Sequence, residues 1–533
     1  MKKTFKKFCL PIFLCMSLTL FAACENIPAL AVPTPVPTPT PLPDYSQDYQ
    51  SVRDYSGNLH PLFMVQWDTW ATFNPYDSES TNNLALSGLL YESFFKVNPD
   101  FSWAPVLCNE YDTNDGVNWS FTIKPDVLFH DGSAVTLNDV LASINTAKRN
   151  GRFTSRLSII NKVSVADGKL NISLVRANYD FPALLNIPIV KDGTTYDQVP
   201  MGSGPYVING TGAFLESFKD YRYISLLPAD YIYLTQVSQE ELIPSFDSGL
   251  LDLIIENRNS IGTPEFSAGA ERRSYLTTRF HYVGFNTFSG FFATPENRRL
   301  VSSLMNRQVI ADQRLSDCEA AVLPFPKSYK YYDEQIADGA LLTKEAIAAQ
   351  LSNSLLRDVN GDGVLEIFDS NGLMYTSDLV FIVPKENLKK VNAAKEIAAE
   401  LRNAGFGITL KELPWEEYTQ TLKSGAFDMY YSSIQLSADF SLLPLTDDTG
   451  SARFGGYDPT LDALCTNFLA ALPGDPKAFA AREMLKRFAD TAPIAPIAFE
   501  REALLTNRGV ISGANPTQYD PYYNIVDWKI NIG

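Results

Sequence analysis

The chain has 533 residues, 45% of them hydrophobic and 12% aromatic, and a formal charge of -17. Its length predicts at least two sub-domains, and its composition predicts a well-cored globular protein. The acidic balance excludes nucleic acid as a partner, argues against holding an anionic lipid surface by charge, and leans toward cationic or zwitterionic ligands.

Lys2, Lys3, Lys6 and Lys7 precede an apolar run from Cys9 to Ala22, and Ala23-Cys24 follows. A charged start, a short apolar core and small residues at a cut site describe a secretory signal over 1–23. The run is too short for a bilayer-spanning helix. Removal of the signal takes away four lysines and no acid, so the mature chain is four charges more negative. From Pro28 to Pro43, proline alternates with Thr, Val, Ala and Leu. Such a segment favours an extended polyproline spacer of roughly 3 Å per residue. Phe21-Ala22-Ala23-Cys24 resembles a bacterial lipobox, which implies a lipidated Cys24, and the tether (24–57) fits a domain held off a membrane by that anchor. A secreted protein cut nearby is the alternative.

Leu84–Tyr91 reads as a first helix. Trp119, Phe121 and Ile123 alternate with Ser120, Thr122 and Lys124 as in a half-buried strand, and His130-Asp131-Gly132 supplies a turn. Thr136 and Asp139 form a capping box for a helix with Leu137, Val140, Leu141 and Ile144 on one face. Ile159–Ala166 and Leu170–Val175 predict strands around an Asp167-Gly168 hairpin. Tyr221–Leu227 and Tyr231–Leu234 read as further strands. Between 379 and 434 the pattern is strand, helix, strand, helix, strand, with Gly405 and Gly425 as stops and Pro414 as a start. That order implies a parallel sheet with right-handed crossovers.

The chain carries no HExxH, GxSxG or Gly-Lys phosphate loop, and only three histidines, so a binding protein is expected rather than an enzyme. Cys108, Cys318 and Cys465 are far apart in sequence. One disulfide among them, or none, fits equally. Asp358, Asn360 and Asp362 with Gly363 resemble a calcium loop, but position 12 is Asp369 rather than Glu, and a solvated turn is the competing reading. His130 has no second histidine nearby and reads as a turn residue. Trp67, Trp70 and Trp415 read as core before cleft.

In order along the chain, Leu90-Tyr91-Glu92, Asn98-Pro99-Asp100, Ala104-Pro105-Val106-Leu107, Val127-Leu128-Phe129-His130-Asp131-Gly132, Gly202-Ser203-Gly204-Pro205-Tyr206, Phe285-Asn286-Thr287, Asn297-Arg298-Arg299-Leu300, Gly407-Ile408, Gly425-Ala426-Phe427-Asp428 and Pro493-Ile494-Ala495-Pro496 resemble the blocks of the family 5 extracellular solute-binding proteins. These are the peptide and nickel receptors of ABC importers. Phe21-Ala22-Ala23-Cys24 is similar to their lipobox, with Phe21 in place of the usual Leu.

The resemblance implies an α/β, two-lobed periplasmic-binding-protein-like fold (type II) with an extra small domain in the first lobe. Lobe I would comprise 58–76, 197–276 and 497–533, the inserted domain 77–196, and lobe II 277–496. It implies a monomeric receptor, anchored to the outer face of the bacterial cytoplasmic membrane, that passes a peptide or other small solute to an ABC permease without a cofactor. Nickel chelate, oligosaccharide or signalling peptide as ligand, or a surface sensor without transport, are the alternatives. Asp439 stands where peptide-binding members pair an Asp with the ligand's α-amino group, although their neighbouring Trp and Asp-Pro are missing here. Phe440, Tyr431, Arg453, Trp70 and Asn286 complete the candidate binding set, with Arg453 a candidate carboxylate partner.

Overall fold

The computed structural model describes residues 63–209, 212–256, 270–288, 290–352, 355–368, 371–376 and 378–531. The signal segment, Cys24, the tether, His60 and Asp369 lie outside the described residues.

Two long strands, Ala270–Phe285 and Ile494–Asn507, form an antiparallel ribbon that runs through the molecule. On one side the far end of this ribbon pairs with Leu253–Glu256, followed by Phe63–Gln66, Tyr231–Thr235, Phe214–Ser217 and Tyr206–Ile208. On the other side its near end pairs with Met429–Gln435, followed by Leu379–Pro384 and Ile408–Leu413. Two sheet regions joined by one ribbon produce the two lobes. The ladder of the ribbon shifts register between Leu276 and Phe280 and again between His281 and Tyr282. Each shift bends a strand locally.

The βαβαβ unit forms as its pattern dictates: the three strands are mutually parallel, and helices Leu388–Asn403 and Trp415–Ser424 cross between them. Side chains alternate across this sheet. Leu379, Phe381, Val383, Met429 and Tyr431 join one core, while Ile382 and Tyr430 join the core on the opposite face. Val391, Ala394, Ala398 and Leu401 of the first crossing helix are buried. The helix Pro295–Ser303 is fixed by Arg298, whose guanidinium donates to Phe292, Ala293, Thr491 and Ala492 carbonyls and so caps the helix Asp475–Thr491.

The inserted segment builds a four-stranded sheet from Cys108–Thr113, Asn118–Ile123, Lys169–Leu174 and Ile160–Ala166, covered by the helix Leu137–Ala147 with its Thr136/Asp139 capping box. It shares one apolar core with the first lobe, from Phe63 and Phe121 to Trp528. The expected first helix is two short ones, Thr81–Ala85 and Ser87–Leu90. Tyr221–Leu227 is not a strand: it turns through a short 3-10 helix at Ile224–Leu226.

Two sequence blocks meet across this fold. The His130 amide donates to Gly202 O (2.9 Å), and the Gly204 amide donates to Leu90 O (2.9 Å). A Cβ on Gly204 would sit 2.4 Å from Leu89 O and from the Leu90 carbonyl carbon. These are backbone atoms and cannot step aside. Gly204→Ala is therefore expected to cost about 3 kcal/mol or more, read as a lowered midpoint in urea unfolding.

Candidate functional site

The inserted segment, the first lobe and the second lobe together enclose a cavity of about 1170 Å³. Its floor is the ribbon, through the register partners Tyr275 and Glu502, whose hydroxyl and carboxylate are bonded at 3.1 Å. Burial pushes the Glu502 carboxyl upward.

Asp439 lines this cavity and is 3% exposed. It follows the strand Met429–Gln435, at the end of the parallel sheet where a topological switch leaves a crevice. Its Oδ1 accepts from the Ser437 hydroxyl and the Ser441 amide, and its Oδ2 from Asn178 Nδ2 at 2.8 Å. A carboxylate has about four acceptor positions, so these bonds leave room for a ligand donor. Burial raises its pKa, against those three hydrogen bonds, and the Asp180 charge adds to the rise. Tyr519, in the cavity wall, lies within electrostatic reach of Asp439: its hydroxyl is pushed up by burial and feels Arg156 and Asp439. Arg156 donates Nη2 to Asn186 O at 2.7 Å, while its Nε has no partner.

The other sequence candidates lie away from the cavity. Phe440 is fully buried against Phe101, Phe325 and Tyr329. Its φ of 53° is a left-handed conformation that a bulky residue adopts only when held there, and Phe101 opposite it has φ 64°. Phe440 thus anchors the turn that carries Asp439 and does not line the cavity. Tyr431 is buried in the second lobe, its hydroxyl 3.1 Å from His281 Nδ1. Arg453 is spent on Asp447, Asp448 and Gly455 carbonyls. Asn286 donates to Gly425 and Phe427 carbonyls. Trp70 is 65% exposed and Trp415 61%, so neither is core, whereas Trp67 is buried.

His130 binds Gly204 O through Nε2, and burial brings its pKa down to about 4, which suits a neutral turn residue. Cys108, Cys318 and Cys465 are all free and buried. Asp358, Asn360 and Asp362 accept bonds from the amides of their own turn, between strands Leu356–Arg357 and Glu366–Phe368. Among the described residues, no three His, Cys, Asp or Glu side chains converge on a metal position.

The cavity also holds residues that the sequence did not single out. Lys96, Lys124 and Arg156 come from the inserted segment, and Asp520 from the C-terminal segment. Asp520 is pushed up to about 6 by burial, against its bond from the Tyr522 amide and the Lys96 charge. A folded-state pKa above the ordinary 3.8 means that the folded chain holds this proton more tightly. Stability is then lost as pH rises from about 4 through 6. Asp520→Asn is expected to be more stable than the wild type above pH 6 by on the order of 1–3 kcal/mol, with no advantage below about pH 4. Melting temperatures across that range check it.

Two lobes on a shared ribbon with a large cavity between them define a protein that encloses small solutes. The profile for "Bacterial extracellular solute-binding proteins, family 5 Middle" matches residues 102–452, and the chain belongs to that family. It is 21% identical over 390 residues to the oligopeptide-binding protein AppA of Bacillus subtilis, covering 67% of this chain and 69% of that one. It is 24% identical over 359 residues to protein XP55 of Streptomyces lividans, covering 63% of this chain and 64% of the Streptomyces protein. Its fold is similar to the unliganded open form of MppA, a periplasmic murein tripeptide binding protein, with a TM-score of 0.70 at 17% identity over 89% of this chain and 98% of that one.

Proposed function

We propose that this chain is a lipid-anchored extracytoplasmic receptor that captures a peptide-like ligand between its lobes and delivers it to an ABC importer. The observation that carries this reading is Asp439: a buried carboxylate with acceptor capacity to spare, opening on a cavity large enough for several residues of peptide. A ligand ammonium there would form a short, charge-assisted bond. The peptide names of the relatives support the same reading, and the charged start, Ala23-Cys24 and the proline tether support anchoring through Cys24. We place the hinge in the ribbon near Leu276 to Phe280, beside the lobe boundary at 276/277, because the ladder is already broken there.

The test is native mass spectrometry of gently purified protein for co-purified mass, followed by thermal-shift screening with a di- to pentapeptide library. A subset of peptides is expected to raise the melting temperature. A library that leaves it unmoved overturns the peptide assignment.

A further inference from the structure

The cavity wall is divided by charge according to which part of the chain supplies it. Among the described residues, its cations without a salt bridge, Lys96, Lys124, Arg152 and Arg156, come from the inserted segment. Its acids without a salt bridge, Asp439, Glu502 and Asp520, come from the second lobe, the ribbon and the C-terminal segment, while Glu92 of the inserted segment is paired with Arg222 and Asp447 with Arg176. An acidic protein has therefore concentrated positive charge on one side of its cavity.

Lys96 and Lys124 both line that side, within electrostatic reach of one another. Lys96 is the middle residue of the strand Phe95–Val97, turned away from buried Phe95 and Val97. That strand pairs with Trp103–Pro105, and Lys124 is tied to the residues that follow it, its amide donating to Leu107 O. Each ammonium has a single hydrogen bond, and each of those goes to a neutral oxygen: Lys96 Nζ to Asn524 Oδ1 at 2.7 Å, and Lys124 Nζ to Val106 O at 2.6 Å. Burial and the Lys124 charge both act against the Lys96 ammonium, while Asp520 and Asp527 favour it from beyond ion-pair distance. An ammonium carries three donors, so each keeps two. Asn524 holds its amide toward Lys96 from a left-handed backbone at φ 50°, and the Tyr523 ring lies 4.8 Å beneath the same ammonium. Two like charges in one half-buried wall repel one another, and an anion bound between them relieves that cost.

We propose that Lys96 and Lys124 form a carboxylate subsite, so that the ligand is an acidic one whose additional anionic group seats against the inserted segment while its amine faces Asp439. This rests on the receptor reading above and names the ligand class for that cavity.

The experiment is calorimetric titration of the purified full-length protein with Ala-Ala-Glu and Ala-Ala-Gln, which differ only in the charge of one side chain, and with citrate as a non-peptide polyanion. Ala-Ala-Glu is expected to bind about tenfold more tightly than Ala-Ala-Gln. In K96Q/K124Q, which keeps an N–H donor at both positions, that preference is expected to fall below about threefold, and K96R/K124R, which keeps both charges, is expected to retain it. Equal binding of the two peptides by the wild type, or an undiminished preference in K96Q/K124Q, overturns the subsite. If neither peptide binds while citrate binds and K96Q/K124Q loses it, the anion subsite stands and the peptide reading falls. If peptides and citrate all fail to bind, the subsite is overturned.

Discussion

Lys477→Met is expected to destabilise the protein by about 3–5 kcal/mol, the largest loss of stability foreseen for a single side chain outside the tightest glycines. Lys477 has no exposed surface, and its ammonium lies 2.5 Å from Asp180 Oδ2. It stands in the first turn of the helix Asp475–Thr491, where the helix dipole opposes a cation. The Asp180 carboxylate, from the inserted segment, supplies the opposing charge and accepts from Trp103 Nε1 at 3.3 Å. The Phe468 ring face, 4.6 Å from the ammonium, adds a smaller attraction. Removing Lys477 leaves the Asp180 charge buried without a counter-charge, which costs more than the pair itself contributes. The double variant K477M/D180L removes both charges and is expected to recover most of the loss. Urea unfolding of the two single variants and the double closes that cycle, and a double variant as unstable as the sum of the singles would contradict the pairing.

The pair also marks where sequence reasoning succeeds and where it stops. The βαβαβ unit at 379–435 is legible because apolar spacing switches cleanly between two and about 3.6 residues, and Gly405 and Gly425 stop the helices with positive φ. Tyr221–Leu227 misleads because its alternation has another cause. Tyr221 and Tyr223 flank Arg222, whose guanidinium lies over both rings and pairs with Glu92. The period of two there serves an ion pair and its aromatic cover, not a ladder.

The site divides in the same way. Asp439 lines the cavity from the place the resemblance implied, although the neighbouring Trp and Asp-Pro of that resemblance are missing. Phe440 beside it is turned into the core, and nothing in the sequence announces a left-handed aromatic locked against Phe101. Lys96, Lys124 and Arg156 carry no spacing signature: they sit on a strand, after a strand and on a helix, and only the packed fold turns them onto one wall. The one available signal is Lys96 itself, a lysine between two buried hydrophobics, which must face away from the core. The stretch around Trp119 reads as pure scaffold, yet it delivers Lys124 to the cavity.

Asp439→Asn is expected to weaken binding of the tightest library peptide by about 100-fold or more, in line with truncating one partner of a buried charge pair. The substitution is nearly isosteric, and the asparagine oxygen can still accept from Ser437 or Asn178. Stability is expected to move the other way. Burial raises the Asp439 pKa above the ordinary carboxylate value, so in the empty protein its ionised form is penalised, and stability is lost as pH rises past that value. The amide carries no such penalty, and the empty D439N protein is expected to melt at or above the wild-type temperature near neutral pH. Lost affinity with undiminished stability separates an anchor from a mere packing residue. The same linkage sets the pH dependence of binding. A ligand ammonium pairs only with the ionised carboxylate, and Asp439 takes up its proton at higher pH than an ordinary aspartate. Affinity of the wild type is therefore expected to fall on acidification before exposed carboxylates titrate, while residual binding by D439N stays flat over that interval. Calorimetric titrations at stepped pH decide it: parallel pH profiles for the two proteins would show that the ligand's amine is held elsewhere in the cavity.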